Sequence, residues 1–427
     1  MKARLITIST RVQSKVKSEN PKLSYLSAYF GIDLRNLALL RIFLGVGIIA
    51  NQVVQCLPLV ANDPQLRAWH HGFLIEYLGL FNPWLQDLLS GETWLQWLLL
   101  LSSIVFAFFL VIGFHTRFFC FLSWLILLFP VGSNLIDLEV YFTLLLLLFW
   151  SFFLPLGAKF SVDEARLIKS SDSNGQVFSM ASVILMLQVC FLPWIEWISI
   201  KNHGWQSTWH SYFSTELRYI DYGAFGPIRF SGELAYFWLL IAPCLLFSPV
   251  FKDQLRTLVI ISMVLIQFFQ GLSSPVVFLM FTSLFYWIIF LPSGLWNWAK
   301  TKLSNPSRKG LKIFYDGKCS FCEKLCLILR SLFLIRETLV TAASEDISIL
   351  RDMEEKNSWV VVDFRERRFY EAEALVIVLS NSPILFPLGW IISAQPVLAL
   401  MTRIYRFVAR NRSKFSWLTR FVHFENR

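Results

Sequence analysis

The sequence predicts a polytopic α-helical membrane bundle of about eight spans followed by a small α/β domain. Three observations carry that prediction. The first is composition: of 427 residues, 56% are hydrophobic and 16% aromatic, while only 16% are charged, where a soluble domain carries about a quarter. Forty-one Phe and 17 Trp are more than one water-soluble core can hide, so much apolar surface must face lipid. The second is a series of apolar runs close to the length that crosses a bilayer. The third is a sharp change of composition near Leu291, beyond which charges return and strand and helix patterns alternate. This composition excludes disorder, a collagen-like chain and a small disulfide scaffold.

Residues 1–34 are polar and basic (Lys2, Arg4, Arg11, Lys15, Lys17 and Lys22), with no apolar core and cleavage site of the secretory kind, so the first apolar run is expected to act as an uncleaved insertion signal. The membrane domain is expected over 35–292. Its runs are Leu37 to Leu57, Trp94 to Phe114, Phe118 to Ile136, Val140 to Leu156, Val177 to Ile200, Leu234 to Val250, Leu255 to Leu272 and Val276 to Leu291. Only a helix or a closed barrel satisfies its backbone in lipid. With the start inside, the inner segments hold 18 Lys and Arg and the outer ones four. That asymmetry favours both termini in the cytoplasm. The net charge of +10 is read the same way, and no specific nucleic acid partner is expected.

Residues 293–310 carry turn residues and basic charge, a linker signature. From 311 to 427 the chain has 17 Lys and Arg against 13 Asp and Glu, a soluble balance. Leu311 to Tyr315 reads as a strand, Cys319 to Ile335 as a helix, Leu339 to Ala342 as a strand and Ser344 to Lys356 as a helix. Strands follow at Trp359 to Asp363 and Arg368 to Tyr370, and helical patterns close the chain. Strand, helix, strand, helix, hairpin, helix is the order of a small thioredoxin-like α/β domain.

The chemistry concentrates in YDGKCSFCEKLC. Cys319 falls where a turn opens a helix, and Cys322 lies within one turn of it. The helix dipole, with Lys318 and Lys324 nearby, is expected to lower the pKa of Cys319 and make it the attacking thiol. Cys322, deeper in the helix, is the expected resolving thiol. Asp316 is placed to accept a proton or to cap the helix. Cys326, one turn further on, reads as core. A zinc site wants four ligands, and the tail adds only Cys326 and His423 to the pair, so no metal is expected. Structural thiols without chemistry are the competing reading.

YDGKCSFC resembles the signature of the DCC family of thiol-disulfide oxidoreductases, and IYRFVARNR (Ile404 to Arg412) resembles that family's closing motif. The resemblance implies a thioredoxin-like fold, with Cys319 and Cys322 as the redox pair and Asp316 as the signature acid. It also marks Tyr405, Ala409, Asn411 and Arg412 as motif residues. The basic stretch Arg403 to Arg420 lacks any acid and is interleaved with aromatic residues such as Phe415 and Trp417; it fits a cationic helix beside an anionic leaflet better than an RNA site.

In the bundle, Arg41 lies inside an apolar run, and a charge there is expected to face the interior or a polar ligand unless it snorkels. LALLRIFLG, GFHTR (Gly113 to Arg117), FSVDEA (Phe160 to Ala165) and GWQSTWHSYF (Gly204 to Phe213) together resemble the HTTM module, related to the membrane part of vitamin K-dependent γ-glutamyl carboxylases. That relation suggests a quinone as the one small molecule to consider. Lys201 lies four residues before Trp205, near the place where that branch keeps a Lys base, although the aligned position holds Ile200. His70, His71, His203 and His210 match no metal spacing, and Asp163 with Glu164 reads as a helix start.

The function expected is a membrane-tethered thiol-disulfide oxidoreductase acting at the cytoplasmic face on a protein dithiol or disulfide, with the lipid bilayer as its second partner. A lipid- or quinone-binding or transport module with a regulatory tail is the alternative, and quinone-coupled oxygenation in the bundle is a third.

Overall fold

A computed structural model describes residues 21–61, 93–128, 138–165, 175–203, 237–248, 250–272, 286–303, 310–335, 337–383, 385–412 and 414. The chain divides into two compact units, one of Met1–Val111, His115–Leu156 and Asn174–Gly294, the other of Ile112–Phe114, Gly157–Ser173 and Leu295–Arg427.

The first unit is helical. Its elements are α1 (Pro21–Phe30), the short strand β1 (Ile32–Asp33), α2 (Leu34–Ala61), α3 (Thr93–Ile112), α4 (Thr116–Leu127) and α5 (Leu138–Phe152). The single turn α6 (Val162–Ala165) lies in the other unit. Strand β2 (Gln176–Val177), α7 (Met180–His203), α8 (Lys252–Leu272) and a 3-10 segment at Tyr286–Phe290 follow. Strand β1 pairs antiparallel with β2. Asp33 opens α2 by accepting from the Arg35 backbone N–H at 2.8 Å and from its guanidinium at 2.7 Å. Leu37, Leu40, Leu44 and Ile48 form the inward stripe of α2 and join Leu148, Leu185 and Trp287 in one core. Gly45 lets α2 approach α3: a Cβ there would stand 2.9 Å from the Ala107 carbonyl oxygen. Arg41 is 0% exposed and donates from Nη1 to the Leu156 carbonyl at 3.5 Å, so it faces the interior.

The outward side also carries large apolar side chains. Leu98, Leu101, Val105 and Phe108 recur along one face of α3 and are all exposed, Leu98 at 56%. Among the described residues, one helix is long and apolar enough to cross a bilayer, Leu34–Val53; Trp97–Ile112, Thr116–Leu127, Thr143–Phe152 and Met180–Trp194 are apolar but shorter. Most of 58–93 and 201–233, the two long segments expected on the outer side, lies outside the described residues, with His70, His71, His210 and Trp205 among them. Lys201 and His203 fall in the last turn of α7, their side chains outside the described part.

The second unit holds a small mixed sheet. Helix α9 (Ser293–Leu303) occupies much of the segment whose composition reads as a linker. It is followed by β3 (Lys312–Tyr315), α10 (Ser320–Leu332), β4 (Leu339–Ala342), a 3-10 turn, α11 (Ile347–Lys356), β5 (Val360–Val362), β6 (Arg368–Tyr370), α12 (Glu371–Ser380), α13 (Phe386–Ser393) and α14 (Gln395–Arg410). The strand order is β4-β3-β5-β6, with β3 and β4 parallel and the other pairs antiparallel. Alternation along β3 sends Ile313 and Tyr315 to a core with Cys326 of α10 and Val378 of α12, and Phe314 to a core with Ile349 and Met353 of α11. Both faces of the sheet are thereby covered. The helix expected from Ser344 starts later: Asp346 adopts an extended backbone and its carboxylate accepts from the Ser348 N–H at 2.9 Å, an N-cap that separates the 3-10 turn from α11.

Candidate functional site

Strand β3 ends at Tyr315, and the three residues after it make the turn that presents the cysteines. Asp316 closes the turn twice. Its Oδ1 accepts from the Lys318 N–H at 2.9 Å, and its carbonyl accepts from the Cys319 N–H at 2.9 Å. Gly317 packs under the end of β4, where a Cβ would meet that of Ala342 at 3.3 Å. Cys319 then takes the N-cap of α10 with extended backbone angles, and its Sγ accepts from the Cys322 N–H at 3.3 Å. One N–H of the helix start, that of Cys322, thus reaches the Cys319 sulfur at the positive end of the helix dipole, the environment that stabilises a thiolate.

Cys319 and Cys322 are joined as a disulfide, with Cα atoms 5.3 Å apart. Cys319 is half-buried at the surface end, and Cys322 packs against the core beneath the sheet. Cys326 is different in kind. It is buried in the same core, and burial pushes its thiol up to about 12, so it stays protonated and unreactive at neutral pH.

Asp316 has a partner from the far end of the domain. Arg412, just past α14, donates from Nη1 to Asp316 Oδ2 at 3.0 Å. The signature acid and the last residue of the closing motif therefore meet across 96 residues of sequence. The rest of that motif works elsewhere. The Tyr405 hydroxyl accepts from the Trp359 N–H at 3.0 Å and braces the start of β5, and burial raises the phenol above its usual range. Asn411 donates from Nδ2 to the Phe407 carbonyl at 2.8 Å and finishes α14, while Ala409 is half-buried along it. Arg406, within the same segment but not one of its four marked residues, grips Glu371 at 2.9 and 3.0 Å. Arg41 lies in the first unit, and among the described residues no group of three or more His, Cys, Asp or Glu could hold a metal ion.

Sequence reasoning missed the way α10 is held at its other end. Ser161 and Glu164 form a capping arrangement: the Glu164 N–H donates to Ser161 Oγ at 2.8 Å, and Glu164 Oε2 accepts from the Phe160 N–H at 2.8 Å. This is the helix start expected from Asp163 and Glu164. Ser331 of α10 reaches into it, with Oγ 3.1 Å from Glu164 Oε2 and 3.2 Å from the Ser161 carbonyl. Lys159 completes the buried knot, 3.8 Å from Glu164. Ser331→Ala leaves the buried carboxylate short of a donor, with an expected loss of about 1.5–3 kcal/mol in local stability. Hydrogen exchange of the last turn of α10 measures it directly.

The sequence that builds this site has a counterpart among known families. Residues 313–418 match the family of DCC1-like thiol-disulfide oxidoreductases. The matched stretch runs from β3 past α14 and contains Asp316, Cys319, Cys322, Tyr405 and Arg412. A thiol–disulfide redox role for this DCC1-like domain is supported by the match and by the Cys319–Cys322 pair together. No curated protein and no solved structure matches the chain.

Proposed function

We propose that the DCC1-like domain is a thioredoxin-like thiol–disulfide oxidoreductase in which Cys319 attacks and Cys322 resolves. In the reducing direction the Cys319 thiolate attacks a disulfide of a protein partner, forms a mixed disulfide and releases one partner thiolate. The Cys322 thiolate then attacks Cys319 Sγ, closing the intramolecular disulfide and releasing the second thiolate. Two electrons pass to the partner, and a dithiol protein of the thioredoxin class restores the pair. The observation that carries this reading is the Cys322 N–H directed at Cys319 Sγ from the first turn of α10. The β4-β3-β5-β6 order, with its one parallel pair, supports the thioredoxin-like assignment.

Asp316 acts as a positioning residue. It fixes the turn through Lys318 and is itself fixed by Arg412.

The domain is tethered, in this reading, to a polytopic bundle of the HTTM kind at the cytoplasmic face of a bacterial inner membrane. The apolar outward stripe of α3 and the charge asymmetry between segments support the tether. The buried Arg41 favours a second role for the bundle, recognition of a lipid headgroup or a quinone. Arg41→Ala that lowers lipid or quinone retention without changing thiol exchange supports that role.

The deciding experiment uses Cys322→Ser in the full chain. With a disulfide substrate, this variant is expected to accumulate a mixed disulfide through Cys319, released by added dithiol and seen as a mass adduct. No adduct, or an adduct elsewhere in the chain, would contradict the assignment.

A further inference from the structure

The last two helices of the DCC1-like domain turn apolar side chains outward. Helix α14 has sixteen residues and none fully buried. Leu400, Ile404 and Phe407 recur at i, i+4 and i+7, so they form one stripe, and Phe407 is 60% exposed. Tyr405, away from this stripe, reaches inward to the Trp359 N–H. Helix α13 adds Phe386, Leu388, Trp390 and Ile391, all exposed, with Trp390 at 79%. Gly389 seats α13 against α12, since a Cβ there would stand 2.9 Å from the Ser380 backbone nitrogen.

Charge decides what this face meets. Arg403 and Arg410 border the stripe on α14 and are exposed, and neither makes an ion pair among the described residues. Arg406 and Arg412 are committed to Glu371 and Asp316. Between Glu373 and Glu425 the sequence contains no Asp or Glu and six Lys or Arg. An apolar stripe with an aromatic anchor and an unopposed cationic border is complementary to the headgroup layer of an anionic bilayer, where apolar side chains enter the acyl boundary and guanidinium groups meet lipid phosphates.

We propose that the face formed by α13 and α14 docks on the surface of an anionic lipid bilayer. This holds the domain flat against the membrane, independently of the redox assignment.

The test uses the full chain with Trp390→benzoylphenylalanine, reconstituted into vesicles of phosphatidylcholine with or without phosphatidylglycerol and irradiated. The expected product is a phospholipid adduct whose yield rises about fivefold or more with the anionic lipid and falls back in Arg403→Glu/Arg410→Glu or at high salt. Ile347→benzoylphenylalanine places the probe at an exposed apolar site on α11 and is expected to give only background yield. Adducts to protein, whether a second copy or the same chain, would overturn the proposal. Equal lipid yields in the two vesicle types, or at the two probe positions, would overturn it as well. Carbonate extraction of the same samples reports spanning segments separately, so loss of the tether is distinguishable from loss of docking.

Discussion

Cys319→Ser is expected to abolish thiol–disulfide exchange, by a factor on the order of a thousand or more, while the domain stays folded. The two halves of that expectation have separate physical grounds. A hydroxyl in place of the thiol forms no anion at neutral pH and cannot join a mixed disulfide. Serine is nonetheless among the best N-cap residues, so its oxygen can take over the bond that Cys319 Sγ accepts from the Cys322 N–H. The start of α10 is preserved and the chemistry is removed. Turnover of a fluorescent disulfide substrate, measured beside a thermal melt, separates the two. Residual exchange above a few per cent, with an unchanged melt, would show that another thiol carries the reaction. Cys326 is not that thiol, because burial holds its pKa near 12.

The second large effect divides the closing motif into a brace and a positioning contact. Tyr405→Phe removes the only atom of that side chain able to accept from the Trp359 N–H, and a buried donor left unpaired costs about 1–3 kcal/mol. Stability is therefore expected to fall, with the exchange rate per folded molecule unchanged. Arg412→Ala is expected to do the reverse. Its ion pair with Asp316 is partly exposed, at side-chain exposures of 42% and 25%, and such pairs contribute at most about 1 kcal/mol. The turn that aims Cys319 is loosened instead. The expected reading is an unchanged melt with exchange slowed several-fold and a higher pH midpoint for Cys319 reactivity. A matched loss of stability and rate in both variants would contradict the division.

How much was legible in the sequence follows the range of each interaction. Strands β3, β4, β5 and β6 stand within a residue or so of the apolar alternations at 311–315, 339–342, 359–363 and 368–370, because each pattern is set by which face of a two-sided sheet it fills. The start of α10 near Cys319 was legible too, but its cap was not: the expectation offered Asp316, which instead closes the turn through the Lys318 and Cys319 N–H groups, and Cys319 itself takes the N-cap. The 3-10 break before α11 was not, because Ser344 and Asp346 both suit a helix start and only the extended backbone of Asp346 selects between them. The Asp316–Arg412 pair was invisible: both residues belong to motifs, but nothing local shows that the end of α14 returns to the tip of β3. Ser331 gave still less signal, because a serine late in a helix has no reason in its neighbours to meet Glu164, 167 residues away. In the bundle, helices fall on several of the apolar runs but not at their bounds: α4 ends at Leu127 within a run that continues to Ile136, and the run from Val276 to Leu291 lies mostly outside the described residues, its described end being the 3-10 segment Tyr286–Phe290.

The central claim is that the end of β3 and the start of α10 hold Cys319 as a thiolate. Its most direct test is the pH dependence of iodoacetamide alkylation of the fully reduced chain, read residue by residue by mass spectrometry. The account predicts a Cys319 midpoint below that of a free thiol, with Cys322 slower and Cys326 unlabelled until strongly alkaline pH. A Cys319 midpoint at or above the free-thiol value of about 8.5, or labelling of Cys322 ahead of Cys319, would contradict it.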